Sequence, residues 1–138
     1  MNDDDDEQLE ADIAAADIAA AYVDALDSGD AGTLADLLAD GVTFVSPFST
    51  WTSRADVVAA CTARTTAFTG PDVVTAVREG WTLCARWRAR VGDTPIEGVD
   101  VVTLGADGVR TVDVFLRPAA ALDEIRAAMT RAWPARRT

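Results

Sequence analysis

Asp100 is the residue whose surroundings first suggest chemistry. It falls in Ile96-Glu97-Gly98-Val99-Asp100-Val101-Val102-Thr103-Leu104, a run that reads as an extended strand in which alternate residues share a face. Ile96, Gly98, Asp100, Val102 and Leu104 then form one stripe, and Asp100 is its single acid. A carboxylate on such a stripe loses its hydration, so the group must hold a proton or find a donor. Three states follow: a neutral acid that donates a hydrogen bond, a carboxylate paired with an arginine, or a carboxylate turned to solvent by a slip in register.

Histidine is absent. That removes Ser-His and Cys-His nucleophile systems, most catalytic zinc sites and the ordinary neutral-pH base. Proton transfer is left to Asp, Glu, Tyr or Cys with a shifted pKa. Tyr22 is the only tyrosine, and Cys61 and Cys84 are the only cysteines. Cys61 shares a helical face with Val57 and as a thiolate could serve as base or nucleophile, with Arg64 one turn away; a small buried cysteine is the alternative. No metal site is expected, because the acidic run from Asp3 to Glu7 lacks the glycine and ligand spacing of a calcium loop.

The elements that must position these groups follow from periodicity. Ile18, Tyr22 and Leu26, continuing from Leu9 and Ile13, predict a helix from about Glu10 to Leu26, broken by Ser28-Gly29-Asp30. Asp30 caps a short second helix that buries Leu34, Leu37 and Leu38 and stops at Gly41. Val42 to Ser46 is a strand ended by Pro47, and a loop carrying Phe48 and Trp51 follows. Ser53 and Asp56 form a capping box for a helix reaching about Ala67. Beyond Gly70-Pro71 the period changes from helical to two. Strands are expected at Asp72–Arg78, Trp81–Val91, Ile96–Leu104 and Val109–Leu116. In the second of these, Trp81, Leu83, Ala85, Trp87 and Ala89 face one side, and Thr82, Cys84, Arg86, Arg88 and Arg90 the other. A closing amphipathic helix carries Leu122, Ile125, Met129 and Trp133. Helices followed by hairpin-linked strands mean an α+β fold with helices on one sheet face.

At 138 residues the chain is one domain. Residues 1–9 read as an acidic disordered tail and 10–138 as a single folded domain. The net charge of −11 and the absence of lysine argue against nucleic acid, and Arg136 and Arg137 at the terminus make no basic stripe. No apolar run of about 18 residues exists to span a membrane. Without a basic leader and apolar segment, the expected location is cytoplasmic, with both thiols free.

The order of elements, the segment Tyr22-Val23-Asp24-Ala25-Leu26-Asp27-Ser28-Gly29-Asp30 and the segment Leu37-Leu38-Ala39-Asp40-Gly41-Val42-Thr43-Phe44 resemble the nuclear transport factor two-like superfamily, in its ketosteroid isomerase and polyketide cyclase-like branch. The resemblance covers roughly Glu10 to Trp133. It implies a cone-shaped barrel: a strongly curved, mostly antiparallel sheet wrapped around N-terminal helices and closed by a C-terminal helix. It also implies a homodimer joined through the outer sheet face. Inside the cone it implies a hydrophobic pocket lined by Phe44, Ser46, Phe48, Trp51, Val57, Cys61, Trp81, Leu83, Trp87 and Val102, although each aromatic among them could equally be core. Tyr22 matches the family's phenolic donor, and Asp100 its protonated acid, which together would hold a substrate oxyanion. In the ketosteroid isomerases an apolar site keeps that acid neutral, so that it can donate. The family's general-base aspartate, placed before a proline at the end of the first strand, is replaced here by Ser46 before Pro47. The implied activity is that of an isomerase, lyase (cyclase) or hydrolase acting on a small apolar molecule by acid and hydrogen-bond catalysis, without a cofactor. The alternative is a non-catalytic binding or dimerisation domain that has lost its base.

Overall fold

A computed structural model of the chain describes residues 3–134, so Arg136 and Arg137 lie outside the described residues. The elements run α1 (Asp3–Ser28), α2 (Ala31–Asp36), β1 (Leu38–Val45), β2 (Thr50–Trp51), α3 (Arg54–Ala67), β3 (Thr69–Glu79), β4 (Thr82–Val91), β5 (Thr94–Gly105), β6 (Gly108–Arg117) and, after a 3-10 turn, α4 (Leu122–Ala132). Six strands form one curved, unclosed sheet in the order β2-β1-β6-β5-β4-β3, antiparallel throughout except between β1 and β6. The helices pack inside its curve.

The period-two register holds where it matters most. Leu83, Ala85, Trp87 and Ala89 of β4 are buried, while Thr82, Cys84, Arg86, Arg88 and Arg90 are exposed. Ile96, Gly98, Asp100, Val102 and Leu104 are the buried face of β5. Gly98 stands opposite Trp87 across the ladder. A β-carbon there would lie under 3.0 Å from three atoms of the Trp87 indole, so only glycine leaves room for that ring.

Three expectations need correction. The acidic run is no separate tail: it forms the first turns of α1, exposed from Asp3 to Glu10. Acidic side chains at a helix N-terminus favour the macrodipole, and the alanines that follow propagate the helix. The buried stripe of α1 is Ala15, Ala19, Tyr22, Ala25 and Leu26, whereas Leu9 and Ile13 are more than half exposed. Small alanines let α1 lie close on β3, where Asp27 Oδ1 accepts from the Val73 amide at 2.7 Å and Asp12 pairs with Arg78. Finally, β1 starts at Leu38 rather than Val42, with an irregularity in its pairing to β6 between Leu38 and Thr43.

Local capping sets the starts of α2 and α3. Asp30 accepts from the Thr33 amide and hydroxyl at the head of α2, which holds its carboxyl below the usual range. Ser53 Oγ accepts from the Asp56 amide at the head of α3. Among the described residues no helix is long and apolar enough to cross a membrane.

Candidate active site

Three elements converge on Asp100, in the middle of β5. Tyr22 of α1 donates its hydroxyl to Asp100 Oδ2 at 2.6 Å. Arg64 of α3 spans the carboxylate, with Nη1 at 2.8 Å from Oδ2 and Nη2 at 3.2 Å from Oδ1. Trp87 of β4 donates its indole N–H to Oδ1 at 2.8 Å. Asp100 is 0% exposed and Arg64 4%. Each carboxylate oxygen thus accepts two hydrogen bonds, one of them from a cation, and these fill its lone pairs. Of the three states open to Asp100, the structure adopts the arginine-paired carboxylate. Such a group has no proton to give, so the expected neutral-acid donor role does not fit this geometry.

The electrostatics follow from burial with a single compensating charge. Burial, followed by the nearby Asp100 carboxylate, pushes the Tyr22 hydroxyl well above the ordinary tyrosine range, and Arg64 opposes this only in part. Burial pulls the Arg64 guanidinium down, but the Asp100 carboxylate, with Tyr22 and the hydrogen bonds to Asp100 added, outweighs it and keeps the group firmly charged. Burial likewise pushes the Cys61 thiol up to about 11, against a partial opposing pull from Arg64. Cys61 is therefore a neutral core thiol at physiological pH, not a base.

A cavity of about 640 Å³ lies beside this cluster. Its walls come from β1 and the following loop (Phe44, Ser46, Phe48, Ser49), β2 (Trp51), α3 and its cap (Ala60, Arg64, Phe68), β6 (Val114, Leu116), and α4 with the segment after it (Arg126, Met129, Thr130, Trp133, Pro134). Trp51 and Trp133 meet at its rim with ring centroids 5.0 Å apart. Phe68 stacks on Trp87 at 5.4 Å, and the Arg64 guanidinium sits 5.3 Å from the centre of the Trp87 ring.

Of the expected pocket residues, Phe44, Ser46, Phe48 and Trp51 line the cavity. Val57, Cys61, Leu83, Trp87 and Val102 are buried core instead, and Trp81 is half-buried at the turn before β4. Tyr22 and Asp100 are brought together as expected, but in the core behind the cavity wall rather than on it. The physical reason is that α1 packs over β3, β4 and β5, so the space that remains lies where β1, β2 and β6 face α3 and α4. Arg64 is the residue that joins the buried cluster to the cavity. Its signal lay in spacing: Val57, Ala60, Cys61 and Arg64 occupy one buried stripe of α3, with a cation where an apolar side chain is expected. Ser46, at the general-base position, is committed to its own turn. Its Oγ accepts from the amides of Phe48 and Ser49 at 3.2 and 3.3 Å and faces the Ser49 carbonyl at 3.4 Å.

Residues 19–114 match the family model of the SnoaL-like domain. The chain belongs to the SnoaL-like domain family. This SnoaL-like domain is similar in structure to a steroid delta-isomerase from Pseudomonas aeruginosa, with TM-score 0.78 and 23% identity over 86% of this chain and 90% of that one. It is similar to an uncharacterized protein with a cystatin-like fold from Silicibacter pomeroyi DSS-3, with TM-score 0.77 and 26% identity over 83% of each chain. A candidate polyketide cyclase from Sinorhizobium meliloti aligns with TM-score 0.59 and 14% identity over 72% of this chain and 94% of that one. Comparison with curated protein sequences finds no match. The SnoaL-like cone and its place in the nuclear transport factor two-like superfamily are thus established, with neighbours named for isomerase and cyclase activity.

Proposed function

We propose that this chain is a cofactor-independent enzyme of the isomerase or cyclase kind, acting on a flat, largely apolar carbonyl compound held in the cone cavity. The observation that carries this is Arg64. It is the only buried cation among the described residues, it stands on the wall of an otherwise mostly apolar cavity, and it is already held in position by a bidentate contact. Two of its five N–H groups are spent on Asp100, which leaves donors for a ligand oxygen. A carbonyl placed there would gain its stabilisation as negative charge develops on oxygen. On this reading Arg64 replaces the expected pair as electrophile, and Tyr22, Asp100 and Trp87 are positioning residues that fix its plane.

A second reading, ligand binding without turnover, is favoured by the lining itself. No Asp or Glu lines the cavity, and the Ser46 hydroxyl is occupied. Turnover therefore requires a substrate whose C–H is acidic enough for water to remove its proton. The test is incubation with a panel of apolar ketones and poly-β-carbonyl compounds in deuterated water, following exchange and product by mass spectrometry. Arg64→Lys keeps the charge but loses the planar fork. Turnover that falls about a hundredfold in that variant supports the enzyme. Equal turnover in both sinks it, and binding without exchange across the panel selects the second reading.

We further propose that two copies pair through the outer sheet face, where Phe115 is 60% and Val77 62% exposed. Sedimentation as a monomer at micromolar concentration refutes that pairing. The two free thiols, Cys61 and Cys84, support placing the protein in the cytoplasm; isolation from cells with a disulfide between chains would count against it.

A further inference from the structure

The cavity has a second cation, at its mouth. Arg126 of α4 is exposed, yet it belongs to the cavity wall, and its guanidinium lies 5.3 Å from the centre of the Phe48 ring. It makes no ion pair among the described residues, unlike Arg64, Arg78, Arg86, Arg88, Arg110 and Arg117. Glu124 of the same helix is engaged elsewhere, accepting from the Thr94 hydroxyl at 2.8 Å. The chain has 23 acids against 12 arginines, but no acid lines this cavity. An acid-poor hollow in an acid-rich protein has a definite electrostatic preference.

We infer that the ligand carries a carboxylate, seated on Arg126 at the cavity mouth, with its apolar body against the aromatic walls and its far end towards Arg64. This deepens the function proposed above and rests on the cavity being the ligand site. Stacking on Phe48 covers one face of the guanidinium and restricts its motion, so less freedom is lost when an anion docks. The inner cation is already balanced by Asp100, whereas Arg126 has its charge to spare. A cationic ligand would meet two arginines and no partner. The net charge of −11 works against anions at long range but is screened beyond about 8–10 Å at physiological salt.

The experiment is calorimetric titration of the full chain with three probes of one shape: naphthalene-2-carboxylate, 2-naphthylmethanol and 2-naphthylmethylammonium. We expect the carboxylate to bind about five- to tenfold more tightly than the alcohol, and the ammonium most weakly. In Arg126→Gln the carboxylate should lose that advantage while the alcohol keeps its affinity; Arg126→Lys should restore most of it. Arg131→Gln, which removes a cation from the same helix but not from the cavity, should change nothing. Equal binding of acid and alcohol, or a preference that survives Arg126→Gln, overturns the inference while the cavity stands. So does an equal loss in Arg131→Gln, which would make the preference one of overall charge. Failure of all three probes to bind overturns the cavity as a ligand site, and this inference with it.

Discussion

Replacing Asp100 by asparagine keeps the side chain's shape and changes only what its two terminal atoms can accept. Four donors now converge on those atoms: Tyr22 at 2.6 Å, Trp87 at 2.8 Å, and the two Arg64 nitrogens at 2.8 and 3.2 Å. Whichever way the amide turns, its NH₂ must face an Arg64 nitrogen, and the buried guanidinium loses its counter-charge. Removing one partner of a buried ion pair costs about 3–5 kcal/mol. That is a large share of the roughly 5–15 kcal/mol that keeps a domain folded, and corresponds to a fall of some 10–20 °C in Tm for a chain of this size. Tyr22→Phe deletes one hydrogen bond to a charged acceptor and should cost less, about 1.5–3 kcal/mol. Urea denaturation followed by tryptophan fluorescence gives both values. A neutral Asp100 would behave differently, since asparagine preserves both a donor and an acceptor. Should Asp100→Asn fall within about 1 kcal/mol of the parent while Tyr22→Phe costs more, the ion-paired carboxylate is wrong.

Gly98→Ala should destabilise by at least about 2 kcal/mol, because the new methyl has only the fully packed Trp87 ring to displace; denaturant midpoints at constant slope check it. Alkaline pH should weaken the fold through Cys61. The unfolded thiol ionises near ~8.5 and the folded one near about 11, so the native state binds more protons in between. That contribution is complete below the unfolded value and falls away as pH rises, by on the order of 3 kcal/mol, and Cys61→Ala should flatten the slope. A thiol reagent should label the exposed Cys84 rapidly and the buried Cys61 only as fast as the domain opens. Ser53→Ala should cost about 1 kcal/mol by uncapping α3.

The sheet was legible from Thr82 to Leu104 because one buried face and a strict period of two admit a single register. The start of β1 was not, since Leu37-Leu38-Ala39 suits the end of a helix as well as a strand, and only pairing with β6 decides it. Asp100 announced itself as the one acid on an apolar stripe, and Tyr22 did meet it. Their partner Arg64 was hidden by type, since arginine usually marks a solvent face and local pattern carries no sign of an acid 36 residues away. The cavity was the least legible feature. Phe44 and Trp51 came with the family resemblance, but Arg126, Met129 and Trp133 join them only through the way α4 packs against α3, which no local periodicity encodes.

The absent side chain at Gly98 has a consequence for how the protein can change. A larger residue there must be preceded by a smaller ring at Trp87, but shrinking that ring withdraws a donor from the carboxylate and loosens the plane in which the guanidinium is clamped. The two positions are therefore locked to each other and, through Arg64, to the cavity wall. Attempts to enlarge the hollow are better begun at Leu116 or Met129, which border the cavity and are only partly buried against the core.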